Sequence, residues 1–214
     1  MTTVLCFGDS NTHGSVPMHH RDDVRRFGPE ERWPGVLRKE LGAGFTVIEE
    51  GLPGRTTLRD DPIEGVYKNG LPYLRACLES HKPIDLMTLM LGTNDLKSRF
   101  AVHPLDIAES VGVLLETIAG SGAGPNNTAP RVLLIAPPPL AKLTFLGDMF
   151  FGGSEKSKGL GAAYRPQAEK YGAAFLDAGT VIRTSDTDGV HFEPGEHAKL
   201  GKAVAGIIRT MSSG

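Results

Sequence analysis

Short apolar runs bounded by Gly, Pro, Asp or Asn recur five times along the chain: Val4–Phe7, Phe45–Ile48, Ile84–Leu91, Val132–Ala136 and Ala173–Leu176. Their length and near-continuous hydrophobicity predict buried strands of a parallel sheet. Between them the spacing becomes helical. Ile107, Val111, Leu114, Leu115 and Ile118 form one apolar stripe behind Pro104, a favoured first-turn residue. Leu200, Val204, Ile207, Ile208 and Met211 repeat that stripe behind Pro194. Less regular helices are expected near Glu30–Leu41, Leu71–His81 and Glu155–Tyr171, and loops at Gly120–Pro130 and Pro137–Gly153. Strand and helix alternate from end to end without a repeat or a linker. The expectation is a single α/β domain over residues 1–214, its parallel sheet sandwiched between helices.

Composition narrows the function classes. The 27 glycines and 15 prolines make about a fifth of the 214 residues, below the roughly 25–30% that marks disorder. A folded chain rich in turns is expected. A net charge of -2 offers no basic field for nucleic acid or an anionic membrane. No apolar run approaches the ~18 residues of a transmembrane helix, and Met1-Thr2-Thr3 leads straight into a strand, not into a signal peptide. Cys6 and Cys77 are too few for a disulfide framework and lack metal-ligand spacing. The chain is expected to be cytoplasmic, with neither cofactor nor metal.

Ligands of an open parallel sheet bind beyond the carboxyl ends of its strands, so the residues there carry the functional argument. The first strand ends in Gly8-Asp9-Ser10, a sharp turn that would present the Ser10 hydroxyl. The second runs into Gly51-Leu52-Pro53-Gly54-Arg55-Thr56, a tight loop whose amides can point outward. The third ends in Gly92-Thr93-Asn94-Asp95, where Asn94 offers a side-chain donor. Taken alone, each has a plain reading as turn chemistry. Of seven histidines only His191 has an aspartate three residues earlier, Asp188, a spacing that can fix the imidazole tautomer. Together these supply a nucleophile, two oxyanion donors and an oriented base, the parts of an acyl-transfer site. Phosphate-loop, dinucleotide, zinc-protease and G-x-S-x-G motifs do not occur.

These blocks, in this order and spanning almost the whole chain, resemble the SGNH (GDSL-type) hydrolases. The resemblance implies a three-layer α/β/α sandwich with a five-stranded parallel sheet, similar to flavodoxin. It implies Ser10 as nucleophile, His191 as general base and acid, and Asp188 as its orienter. The implied oxyanion hole consists of the Ser10 amide, the Gly54 amide and the Asn94 side chain. Val4–Ser10, Glu49–Leu52 with Arg55-Thr56-Thr57, Met90–Asp95 and Ala136–Leu140 are similar to the bacterial arylesterase/acyltransferase branch. That branch implies hydrolysis of short-chain and aryl esters, acyl transfer to alcohols or peroxide, and homo-oligomers whose subunits narrow the site entrance. The segment Asn11–Ser15 departs from the aromatic-rich stretch of those relatives, which implies a more polar or roomier acyl pocket.

The competing functions are a carbohydrate acetylesterase, a thioesterase or lysophospholipase of the same family, and a non-catalytic flavodoxin-like binding module. His19-His20 with Asp22-Asp23 lacks the spacing of a fixed ligand set, and Cys6 is expected in the core. Asp9, Asp85 and Asp95 are expected to brace loops and strand ends. Trp33 and Phe145–Phe151 are assigned to the pocket, an interface or the core without a choice between them.

Overall fold

The computed structural model describes residues 1–212. Its sheet has five parallel strands, β1 (Thr2–Gly8), β2 (Phe45–Gly51), β3 (Leu86–Met90), β4 (Arg131–Ala136) and β5 (Ala174–Asp177), in the order β2-β1-β3-β4-β5. The chain first steps outward from β1 to β2 and then returns to place β3 on the other side of β1. That reversal creates a switch point, where loops diverge and leave a crevice at the carboxyl ends. The helices are α1 (Ser10–His13), α2 (Trp33–Leu41), α3 (Gly70–His81), α4 (Pro104–Ala119), α5 (Gly153–Ser157), α6 (Leu160–Lys170) and α7 (Pro194–Ser212).

Alternating strand residues feed two cores. Leu5, Phe7, Met87, Leu89, Leu134 and Ala136 pack with α3, α4 and α6 on one face. Val4, Cys6, Leu86, Met90, Leu133 and Ile135 pack with α2 and α7 on the other. This is the expected three-layer sandwich. The helix stripes behave as their spacing requires: Ile107, Val111, Leu114, Leu115 and Ile118 are all buried, as are Leu200, Val204 and Ile208.

Four details differ from the sequence expectations. Only β1, β3 and β4 carry long buried stretches; β2 and β5 are the sheet edges and remain half-covered. The third strand is shorter than its apolar run, because Ile84 and Leu91 pack in the core just outside the ladder. The helix expected at Glu155–Tyr171 is two, α5 and α6, broken at Lys158 and Gly159. The helix expected from Glu30 begins at Trp33, with Pro34 in its first turn, and Trp33 is a fully buried core residue.

Candidate active site

Register brings the site loops to one height. Gly8 pairs with Gly51 on one side and Met90 on the other, so the residues after β1, β2 and β3 emerge together. At Gly51 a side chain is excluded: a Cβ would lie 2.2 Å from the His13 backbone nitrogen. The chain after β1 can therefore fold tightly across β2. It does so as α1, whose N-cap Asp9 accepts from the Asn11 amide at 2.9 Å. Ser10 is the first helical residue, and Asn11 and Thr12 turn inward and are buried. The polar segment after Ser10 is thus mostly helix and core. Of its residues only His13 and Ser15 line the cleft above.

Ser10 Oγ lies 3.0 Å from His191 Nε2, and His191 Nδ1 lies 2.6 Å from Asp188 Oδ2. Asp188 is fully buried and accepts further bonds from the amides of Met18, Val190 and His191 at 2.7–2.9 Å. Burial alone would raise its pKa; the bonds from His191 and these amides outweigh it and hold the carboxyl below its ordinary value. Asn11 Nδ2 donates to the Val190 carbonyl at 3.2 Å, tying the serine helix to the histidine loop. All three sequence-derived catalytic candidates therefore meet in one hydrogen-bonded line.

The oxyanion candidates converge on the same cleft, which Ser10, Gly54, Asn94 and His191 line together. Gly54 has φ +80°, left-handed backbone that disfavours any side chain. Its amide and that of Ser10 make no hydrogen bond within the described residues. Asn94 Nδ2 donates to the Arg55 carbonyl at 3.1 Å and approaches Asp9 Oδ2 at 3.4 Å, which leaves this NH2 group directed by two partners. Burial raises the Asp9 pKa to about 6, against the Asn11 amide and the charges of His191 and Arg55.

Bracing residues set this geometry. Arg55 is buried beneath the loop, donating to the Gly8 and Glu50 carbonyls and lying 4.1 Å over the Phe7 ring. Asp95 accepts from the Thr57 amide and hydroxyl and from Arg59, locking the loop after β2 to the turn after β3. Asp85 does the same at the other end of the sheet, accepting from the Thr3 amide at 2.8 Å. The aspartates expected to brace do brace. Nothing in its local sequence marks Arg55 for burial.

The cleft measures about 490 Å³ and has unlike walls. Leu146, Met149, Phe150 and Val190 form an apolar side, which places part of the Phe145–Phe151 segment in the pocket. Glu64, Lys68 and Lys97 form a charged side, and Met18, Asp23, Val24 and Arg25 lie toward the rim. A second hollow of about 430 Å³ opens where β4 and β5 begin, and its liners include no serine, cysteine, histidine or carboxylate. Ser10 and His191 line the first.

Among the described residues, Glu50, Cys77 and His81 bring three metal-competent atoms within 4.8 Å of one another. Cys77 thus has a histidine one helical turn on, a pairing the sequence expectation overlooked. The Glu50 carboxylate is already shared by His81 at 2.8 Å and Tyr73 at 2.9 Å, and burial pushes the Cys77 thiol up to about 12. None of the three lines the catalytic cleft. No helix among the described residues is long and apolar enough to cross a membrane.

The chain has relatives among known proteins. A model of the GDSL-like lipase/acylhydrolase family matches residues 6–198. A search of curated proteins returned no match. Among solved structures, an aryl esterase of M. smegmatis is 43% identical and superposes with a TM-score of 0.94, over 98% of this chain and 99% of that one. A carbohydrate acetylesterase from Sinorhizobium meliloti is 41% identical, TM-score 0.93, over 99% and 100%. A G-D-S-L family lipolytic protein from Veillonella parvula shares the fold at 12% identity, TM-score 0.69, over 98% and 99%. With a family model spanning nearly its whole length and relatives of this similarity, the chain belongs to the GDSL-like lipase/acylhydrolase family and is a carboxylic ester hydrolase of the SGNH type.

Proposed function

We propose that the protein is a serine esterase for small carboxylic esters, short-chain and aryl, working through an acyl-enzyme. The observation that carries this reading is the unbroken line Ser10 Oγ–His191 Nε2–His191 Nδ1–Asp188 Oδ2 opening into the cleft. Ser10 Oγ attacks the ester carbonyl carbon while His191 Nε2 takes its proton. The amides of Ser10 and Gly54 receive the oxyanion, joined by the Asn94 NH2 as one of its hydrogens turns from the long 3.4 Å contact with Asp9 Oδ2. The tetrahedral adduct collapses, the bond to the alcohol oxygen breaks, and the alcohol leaves with the proton from Nε2. Water, an alcohol or peroxide then attacks the acyl group, again losing its proton to Nε2, and the Ser10 hydroxyl is restored.

The cleft size supports small substrates over long acyl chains, and the near-neutral net charge suits weakly charged ones. The site draws on residues from Ser10 to His191, which supports reading residues 1–214 as one domain. We also read the protein as a homo-oligomer. Val24, Ile63, Val66, Tyr67 and Phe151 are large apolar residues exposed to solvent, and Val24 belongs to the cleft rim. A neighbouring copy covering them would narrow the entrance.

The test is labelling by a fluorophosphonate together with hydrolysis of aryl esters of increasing acyl length. One label per chain, absent in Ser10→Ala, and rates falling beyond short acyl chains are expected. A Ser10→Ala variant that still hydrolyses an aryl acetate at the native rate would remove the assignment. Preference for long acyl chains or acyl-thioesters would instead favour the lysophospholipase or thioesterase reading.

A further inference from the structure

One side of α3 carries three residues a helical turn apart, Tyr73, Cys77 and His81, and they converge on Glu50 at the end of β2. The Glu50 carboxylate has a separate partner for each oxygen. The Tyr73 hydroxyl donates to Oε2 at 2.9 Å, and His81 Nε2 lies 2.8 Å from Oε1. Cys77 Sγ completes a triangle in which one atom each of Glu50, Cys77 and His81 lies within 4.8 Å of the others. Cys77 and His81 stand at i and i+4, the spacing at which one helix face offers two ligands to a zinc ion. A thiolate, an imidazole and a carboxylate are zinc's three ordinary protein donors. The core requires only a small apolar group at residue 77, so packing does not account for a thiol beside these two side chains.

The geometry requires little adjustment. Two nitrogen or oxygen ligands of one tetrahedral zinc ion, each at roughly 2.0–2.1 Å, stand about 3.3 Å apart. Oε1 and Nε2, at 2.8 Å, must therefore part by about half an ångström. His81 lies in the last turn of α3 with its side chain 29% exposed, so it can move outward and an ion can enter past it. The Tyr73 bond holds Oε2 aside and turns Oε1 toward the histidine, the kind of outer contact that orients a ligating carboxylate. Charge fits as well. Arg55 lies 5.0 Å over the Tyr73 ring and would repel a bare cation. Glu50 and a Cys77 thiolate cancel a divalent charge, so the guanidinium faces a neutral group. Burial makes the Cys77 proton hard to remove, which disfavours the oxygen-seeking Mg2+ and Ca2+ and favours an ion with real affinity for sulfur.

We propose that Glu50, Cys77 and His81 form a binding site for one thiophilic divalent cation of the zinc class, which ties α3 to the end of β2. On binding, the Cys77 S–H bond breaks, its proton passes to solvent and Sγ bonds the metal. His81 binds through Nε2 and carries its proton on Nδ1, and no electron is transferred. The fourth tetrahedral position falls to solvent. The ion stands behind the oxyanion loop: Glu50 directly precedes Gly51, and its carbonyl receives Arg55 Nη1, which also holds the Gly8 carbonyl. None of its ligands lines the catalytic cleft, so the ion takes no part in the reaction. The inference is independent of the esterase reading.

The test uses the full chain, stripped of metal by a chelator that is then removed. Zn2+ is titrated in competition with a chromophoric chelator for the native protein, Cys77→Ala, His81→Gln and Tyr73→Phe, with thermal unfolding in chelator to show that each is folded. One Zn2+ per chain is expected, with a Kd of about 1 μM or tighter. Tyr73→Phe, which removes only the outer hydrogen bond, should weaken binding about tenfold, and Cys77→Ala and His81→Gln should weaken it further. Co2+ in place of Zn2+ should give a thiolate-to-cobalt charge-transfer band that Cys77→Ala lacks. With zinc at about a hundred times Kd, the native Tm should rise by roughly 5–10 °C, and that of Cys77→Ala should not. Absence of saturable binding up to about 100 μM Zn2+ would overturn the inference. So would a bound equivalent whose affinity is unchanged in Cys77→Ala, since the ion would then sit elsewhere, as on the exposed His19 and His20. The native titration needs no variant, so a misfolded mutant cannot shelter the idea.

Discussion

Replacing Asp188 by Asn tests the site at its most buried point. The carboxylate receives four hydrogens: Oδ1 those of the Val190 and His191 amides, Oδ2 those of the Met18 amide and His191 Nδ1. An asparagine keeps one oxygen. Placed at Oδ1 it preserves two amide bonds, and its NH2 group then opposes the Met18 amide. Placed at Oδ2 it opposes two amides. Each buried mismatch costs about 1–3 kcal/mol, so the first orientation wins. Its NH2 group then points at His191 Nδ1, which must present a lone pair and carry its proton on Nε2. Ser10 Oγ, 3.0 Å from Nε2, now faces a donor and has no base. The imidazolium also loses its counter-charge. A fall in kcat of about 10³–10⁴ is expected, or about 4–5 kcal/mol at 1.36 kcal/mol per decade. KM on an aryl acetate should move little, because Asp188 does not line the cleft. Steady-state kinetics with a phosphonate active-site titration, to count competent sites, makes the measurement. A kcat within tenfold of the native value, or a loss confined to KM, would show that Asp188 does not set the tautomer.

Asn94→Ala should lower kcat on the order of a hundredfold or more with KM nearly unchanged, as expected of a donor used by the oxyanion; stopped-flow acylation of an aryl acetate would measure it, and a loss below threefold would place Asn94 outside the hole. His197 supplies a pH prediction. It is buried between Phe27 and Phe192, accepts from the Trp33 amide, and is held down to about 3 by burial and then by His191. Since the folded value lies below the unfolded ~6.5, its stabilising contribution is full above about 6.5 and lost as pH falls towards 3. Asp9, raised to about 6, works in the opposite sense, adding stability as pH falls from 6 towards 3.8. Comparison with His197→Gln isolates the histidine: between pH 7 and 5 the variant should lose ~2 kcal/mol less than the native protein in urea unfolding. Equal losses in the two would refute the assignment. Light scattering should give a mass above the 22.9 kDa of one chain, and a monomer would remove the narrowed entrance.

What the sequence reveals and what it hides divide along a physical line. Ser10, Asn94 and the Asp188–His191 pair sit at strand or helix ends, where glycine, aspartate and asparagine leave local turn signatures, and a parallel sheet delivers such ends to one edge. Gly54 was legible only in company, since its loop is ordinary turn chemistry until Gly8 and Gly51 are known to pair. The edge positions of β2 and β5 were hidden because strand order depends on contacts far apart in sequence. The charged wall was hidden for a deeper reason. Asp61, Glu64, Lys97 and Arg99 are residue types that normally mark a solvated surface. The burial of Asp61 and Lys97 depends on pairing across more than thirty residues, as between Lys97 and Glu64. Pairing cancels the charges, so the net charge of -2 carries no trace of them. Catalytic chemistry, which tolerates few residue types, writes itself into short motifs; a charged wall can be assembled from any complementary set that the fold brings together. For that reason the reaction was readable from the chain, while the charged lining of the cleft becomes visible only once the fold has brought its members together.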